Sequence, residues 1–197
     1  MTQSDAILNL AKKNNGIVTT KMVVEQNLNR SMLTYLCDKG GLEKTARGVY
    51  ILPNVFEDEF INLQSRFQKG VFSLETALFL HDLTDRTPVN FNMTFPEDYN
   101  LTQVKLQGVR CGRSKLEFYD TGIIEILTPS NNKVRVYSVE KTLCDILITR
   151  NRVDIGIIST AFKRYKDLDK KNIPLLSKYA KMLRVEKKVR TYLEVLL

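Results

Sequence analysis

GGLEKTARGVYILP, residues 40–53, decides how the first part of this chain folds. The pair Gly40-Gly41 can stop a helix. Leu42-Glu43-Lys44 and Val49-Tyr50-Ile51-Leu52 read as two short strands, with Thr45-Ala46-Arg47-Gly48 turning between them. Gly48 takes positive φ at little cost, which suits a hairpin loop of three to four residues. Pro53 marks the way out. What such a hairpin does depends on the residues before it.

Upstream, Ile7, Leu8, Leu10 and Ala11 fall at helical spacing, with Ser4 or Asp5 placed to cap them, and Asn15-Gly16 ends the run. Ile17-Val18-Thr19 is a short extended piece. Thr20 is placed to cap a second helix, Lys21 to Gln26, that buries Met22 and Val23. Asn27 to Asn29 reads as a turn. A third helix, Arg30 to Lys39, buries Leu33 and Leu36. Three short helices with a tight turn between the second and third make a helix-turn-helix, and a hairpin directly after the third is a wing. In a winged helix the third helix enters the major groove, and the wing tip reaches phosphates or the minor groove. The candidate DNA-binding residues are therefore Lys21, Arg30, Ser31, Thr34, Tyr35 and Lys39 on the helices. Lys44, Thr45 and Arg47 join them on the wing. These side chains suit phosphate and base-edge contacts. Residues 1–53 hold 7 basic and 4 acidic residues, a modest surplus for one DNA-binding module.

Beyond Pro53 a connecting helix runs to about Lys69, with Phe60, Leu63 and Phe67 on one face. Ser73 is placed to cap the next helix, with Leu74, Ala77, Leu78 and Leu80 as its apolar side. VNFNMTF alternates, so Val89, Phe91, Met93 and Phe95 are expected to point one way from a half-buried strand. GVRC and KLEFYD read as strands around Gly112. IIEIL, 123–127, and KVRVYS, 133–138, read as partner strands joined by a turn at PSNN. Ser138 then caps VEKTLCDILITR, which buries Leu143, Ile146 and Leu147. After Asp154 the pattern is helical, and Pro174 opens one of the helices. The expected fold class is α+β: an N-terminal winged helix-turn-helix over residues 1–53, a connecting helix over 54–70, and a mixed α/β domain over 71–197 that ends in basic helices.

The 197 residues are 43% hydrophobic and 26% charged, as in an ordinary globular protein, and the formal net charge is +8. The first 149 residues are balanced, with 17 basic and 17 acidic. Residues 150–197 hold 13 basic and 5 acidic, so the whole surplus lies in the last quarter. Arg152, Lys163, Arg164, Lys166, Lys178, Lys181, Arg184, Lys187 and Lys188 form the expected basic surface, with Lys178, Lys181 and Arg184 at steps of three. Such a surface favours a polyanionic partner. Cys37, Cys111 and Cys144 have neither metal nor disulfide spacing and read as reduced, buried thiols. No signal peptide and no apolar run of roughly 18 residues is visible, so a cytoplasmic protein without membrane contact is expected.

No catalytic constellation stands out. The chain has no phosphate-cradling glycine loop and no nucleophile elbow. His81, the one histidine, reads as a helix-end packing or capping residue, and Asp145 as a buried carboxylate bonded to backbone or to an arginine. Asp82, Asp85 and Glu75 are close in sequence but fall on different parts of a helix end, a poor arrangement for metal-dependent cleavage. The expectation is a non-enzyme with no cofactor and no metal.

Several stretches together resemble the AbiEi antitoxins, the antitoxin halves of AbiE abortive-infection (type IV toxin–antitoxin) systems. They are ARGVYILP after the winged helix, FSLETALFLHDLTDRTP, NFNMTFP and VRVYSVEKTLCDIL. The resemblance implies that the winged helix binds inverted repeats in its own promoter and represses it. It implies a C-terminal domain that opposes a nucleotidyltransferase-like toxin without a stable complex. It further implies a chain that is monomeric in solution and binds DNA cooperatively. The alternative is a winged-helix transcriptional regulator with a ligand- or partner-sensing C-terminal domain.

Overall fold

The computed structural model describes residues 2–196, without the side chains of residues 195 and 196. They form two compact units, one running to residue 68 and including 127–134, the other comprising residues 69–126 and those from 135 on.

The first unit begins with α1 (Gln3–Lys13), which Thr2 caps. The Thr2 hydroxyl accepts from the Asp5 N–H, and the Asp5 carboxylate accepts from the Thr2 N–H, a capping box. Asp5 is thus the reciprocal partner of the cap rather than the cap itself. Hydrogen bonds from Thr2 hold its carboxyl below the usual aspartate range. Strand β1 (Ile17–Thr19) leads into α2 (Thr20–Glu25), and Thr19, one residue earlier than expected, caps it by accepting from the Met22 N–H at 3.2 Å. The third helix, α3 (Ser31–Asp38), follows, and then β2 (Glu43–Ala46) and β3 (Val49–Ile51). The sheet order is β1-β3-β2, with β3 antiparallel to both neighbours. Ile7, Ala11, Val18, Val23, Leu33, Leu36, Leu42 and Tyr50 make its core. This element order with this sheet is a winged helix. The next helix, α4 (Glu59–Arg66), is capped by buried Asp58, whose other carboxylate oxygen accepts from the Thr128 hydroxyl at 2.6 Å and the Asn132 amide at 2.8 Å. A buried carboxylate with partners on both oxygens meets its desolvation cost.

The second unit is built on a five-stranded sheet of order β6-β5-β4-β8-β7. Its strands are β4 (Val71–Phe72), β5 (Asn92–Pro96), β6 (Arg110–Ser114), β7 (Ile123–Leu127) and β8 (Lys133–Tyr137). β4 is antiparallel to β5 and parallel to β8, and β5 is parallel to β6. Its helices are α5 (Leu74–Leu80), α6 (Thr102–Leu106), α7 (Leu116–Tyr119), α8 (Val139–Ile146), α9 (Ile155–Asp167), α10 (Ile173–Met182) and α11 (Glu186–Leu196). Leu143, Ile146 and Leu147 are buried in the main core with Leu78, Phe162, Tyr165 and Leu176. Ser138 caps α8 by accepting from the Lys141 N–H, and Pro174 opens α10.

Three expectations need correction here. KLEFYD is not a strand: Phe118 and Tyr119 N–H groups donate back to the Lys115 carbonyl, and the one-turn helix α7 buries Tyr119. Val89 is exposed and lies outside the strand, while Met93 and Phe95 are buried as expected. The ladder with β6 begins at Asn92↔Arg110, where the Arg110 N–H donates to the Phe91 carbonyl, so the strand starts after Phe91 and leaves Val89 outside it. Among the cysteines only Cys144 is buried; Cys37 and Cys111 are partly exposed.

Candidate nucleic-acid interface

The start of α3 is organised by Asn29, whose side-chain oxygen accepts from both the Ser31 N–H and the Ser31 hydroxyl. Such local bonding favours a helix start. The helix stops at Gly40, which adopts φ +72°. Between these ends Leu33 and Leu36 are buried, and Ser31, Thr34, Tyr35 and Asp38 are exposed at spacing three, four and seven. They form one face. Tyr35 is 48% exposed, a large share for an aromatic ring on a small unit. Arg30 and Lys39 flank the face, with the Lys39 Nζ 6.0 Å from the Tyr35 ring centroid. Asp38 shares this face and was not among the residues expected there from the sequence. Its signal was the i+7 spacing from Ser31. A carboxylate there repels phosphates and can accept from cytosine N4 in the major groove.

The wing is tighter than the sequence suggests. Ala46 pairs with Val49, so only Arg47 and Gly48 turn, and Thr45 belongs to β2. A bulge between Lys44 and Ala46 absorbs the difference. Gly48 adopts φ +78°, and a Cβ there would lie 3.3 Å from the Thr20 hydroxyl oxygen. Arg47 is thus the exposed charged residue of the tip, with exposed Lys44 behind it. Two other candidates are engaged within the chain. The Thr45 hydroxyl donates to the Asn62 side chain on α4 at 3.2 Å, and Lys21 pairs with Glu25 at 3.7 Å on α2.

The C-terminal cations are dispersed in role. Lys163 and Lys166 on α9, Lys178 and Lys181 on α10, and Lys187 on α11 are exposed. Arg184 lies past the end of α10 at φ +58°, which breaks the expected run at steps of three. Arg164 is ion-paired with Asp85 and donates to the Asp82 carbonyl at 2.9 Å. Lys188 donates to the Leu147 carbonyl and the Thr149 hydroxyl, both at 2.8 Å. Arg152 lines a cavity with Arg150.

His81 ends α5, and its Nε2 lies 2.7 Å from the Tyr137 carbonyl oxygen. A carbonyl only accepts, so Nε2 carries the proton. Burial pushes its pKa below the usual histidine range. Asp145 bonds neither backbone nor arginine through its side chain. Both of its oxygens accept from Lys141, one turn earlier, at 2.8 and 2.7 Å. Burial raises its pKa. Among the described residues no three His, Cys, Asp or Glu side chains gather as a metal site, and no helix is long and apolar enough to cross a membrane.

The fold and this face define a winged-helix protein with a second α+β unit. Residues 5–53 match the AbiEi_4 family model, described as "Transcriptional regulator, AbiEi antitoxin", which bears out the resemblance to AbiEi antitoxins over the winged helix. The fold is also similar to the crystal structure of the RV2827C protein from Mycobacterium tuberculosis. The TM-score is 0.57 at 13% identity, over 92% of this chain and 72% of that one. No curated protein matches the chain.

Proposed function

We propose that this protein is a DNA-binding antitoxin that represses its own promoter through the winged helix and opposes a nucleotidyltransferase-like toxin through its second unit. The observation that carries the DNA-binding half is the single exposed face Ser31, Thr34, Tyr35 and Asp38 on α3, beside a two-residue wing tip bearing Arg47. The match of residues 5–53 to a regulator and antitoxin family supports it. In this account α3 lies in the major groove, where Ser31, Thr34 and Asp38 meet base edges. Arg30, Lys39, Lys44 and Arg47 meet phosphates, which position the helix without reading sequence. A surplus of only three charges over residues 1–53 makes one copy a weak binder, so paired copies on inverted repeats are expected.

The protein acts as a binder and not as an enzyme. The antitoxin half rests on the family resemblance, and the exposed cations of α9, α10 and α11 are its proposed surface. The test is co-expression with the cognate toxin beside a promoter reporter. The double variant Thr34→Ala, Arg47→Ala is expected to lose repression and still rescue growth. Loss of rescue with repression intact would overturn this division of labour. Failure of the unaltered protein to repress its promoter would overturn the regulator assignment.

A further inference from the structure

The second unit holds a cavity of about 510 Å³. That falls within the roughly 300–1,000 Å³ span of small-molecule sites. One part of its lining is β5 residues 92–94 and the whole of the edge strand β6, residues 110–114. Asn92 pairs with Arg110 and Thr94 with Gly112 in parallel register, so Asn92, Thr94, Arg110, Gly112 and Ser114 share one face of the sheet. A Cβ built on Gly112 meets nothing within 4 Å, so the floor is open there. A strand glycine of this kind leaves backbone free for close approach by a ligand. Ser73, Leu74 and Glu75 line the cavity from the start of α5, Tyr137, Lys141 and Asp145 from β8 and α8, and Ile148, Arg150 and Arg152 from the segment after α8.

The charges there do not cancel. Lys141 is committed to Asp145 through both carboxylate oxygens. Arg113 also lines the cavity, and its Nε donates to the Tyr99 carbonyl at 3.1 Å. Arg110, Arg150 and Arg152 line it as well and are exposed, and Arg150 stands close enough to Asp145 to interact with its charge. The carboxylates among the lining residues are Glu75 and Asp145, against Lys141 and four arginines, so the lining is net positive. Arginine presents donors in a rigid fork that matches phosphate. Arg150 and Arg152 come from one segment and Arg110 from β6, so an anion with spaced charges suits them better than a single phosphate. Leu74, Tyr137 and Ile148 supply apolar lining for a compact organic body.

We propose that this cavity binds a phosphorylated small molecule of nucleotide size, with Arg110, Arg150 and Arg152 holding its phosphates. The cavity takes the ligand between β6 and the residues after α8, and the open floor at Gly112 admits it. All of its lining residues belong to the second unit.

The test is calorimetric titration of the full chain with ATP, pyrophosphate, inorganic phosphate and adenosine at about 50 mM salt, a concentration that leaves charge contacts only partly screened. ATP is expected to bind more tightly than pyrophosphate, and adenosine and inorganic phosphate at least tenfold more weakly than ATP. The double variant Arg150→Ala, Arg152→Ala and the single variant Gly112→Val are each expected to weaken ATP binding at least tenfold. Gly112→Val should leave affinity for duplex DNA unchanged, and unchanged thermal melts would show both variants folded. Three results would overturn the proposal: no heat with ATP or pyrophosphate at millimolar concentration, ATP binding unchanged in both variants, or a loss in the variants that falls on DNA and not on ATP. Pyrophosphate binding as tightly as ATP would contradict the nucleotide-sized body.

Discussion

The backbone carbonyl of Gly48 accepts a hydrogen bond from the N–H of Thr20 at 2.9 Å, which ties the tip of the wing to the first turn of α2. The tie fixes where Arg47 stands relative to the helix-turn-helix. It requires Gly48 in the left-handed region, where an added Cβ is strained and crowds the Thr20 hydroxyl. Gly48→Ala is expected to destabilise the protein by about 1–2 kcal/mol. Urea unfolding would show the loss; an unchanged midpoint would mean that the tip tolerates other turns.

Arg47→Ala removes the exposed charge of the tip without touching that tie. If Arg47 meets a phosphate, the slope of log K against log salt falls by about 0.9. Affinity should drop by a similar factor on every duplex, because phosphate contacts carry no sequence information. Anisotropy titrations at several salt concentrations measure both, and an unchanged slope would remove the phosphate role.

Lys141 and Asp145 form a buried i,i+4 pair, at 3% and 8% exposure. Lys141→Met leaves the Asp145 carboxylate without its partner, and a loss of about 3–5 kcal/mol is expected. Adding Asp145→Leu removes the orphaned charge and should recover most of that loss. A double-mutant cycle by urea unfolding decides it. A mild Lys141→Met phenotype would show that the pair matters little to folding.

His81 is the chain's one histidine. Its pKa in the folded protein is lowered by burial. The unfolded chain therefore binds the proton more readily, and stability is full above the unfolded value of about 6.5 and falls as pH drops below it. The measurement is unfolding free energy from pH 7.5 to 5.5, with His81→Gln expected to flatten the slope. A slope that persists in the variant would assign it to other groups.

The winged helix was legible because its signals are local. Apolar spacing marked each helix, and Gly40-Gly41 and Gly48 marked the stops and the turn. The misplaced caps at Thr2 and Thr19 are errors of one to three residues, since several hydroxyls and carboxylates compete at each start. Lys141–Asp145 was readable from its i,i+4 spacing, yet a buried lysine is rare enough that an arginine was the natural partner to expect. KLEFYD has strand composition, and only the carbonyl of Lys115 and the burial of Tyr119 make it a turn of helix. The cavity was not legible at all. Its lining comes from residues 73–75, 92–94, 110–114 and 137–152, which only the sheet order brings together.

The most direct measurement is a fluorescence anisotropy titration of the whole chain against its own promoter duplex and a scrambled duplex at about 150 mM salt. The promoter repeats are expected to bind at least 100-fold more tightly than the scramble, within the range for specific recognition. Substituting Thr34 and Asp38 by alanine should erase most of that preference. Equal affinity for both duplexes, or a preference that survives those substitutions, would contradict sequence reading by the α3 face.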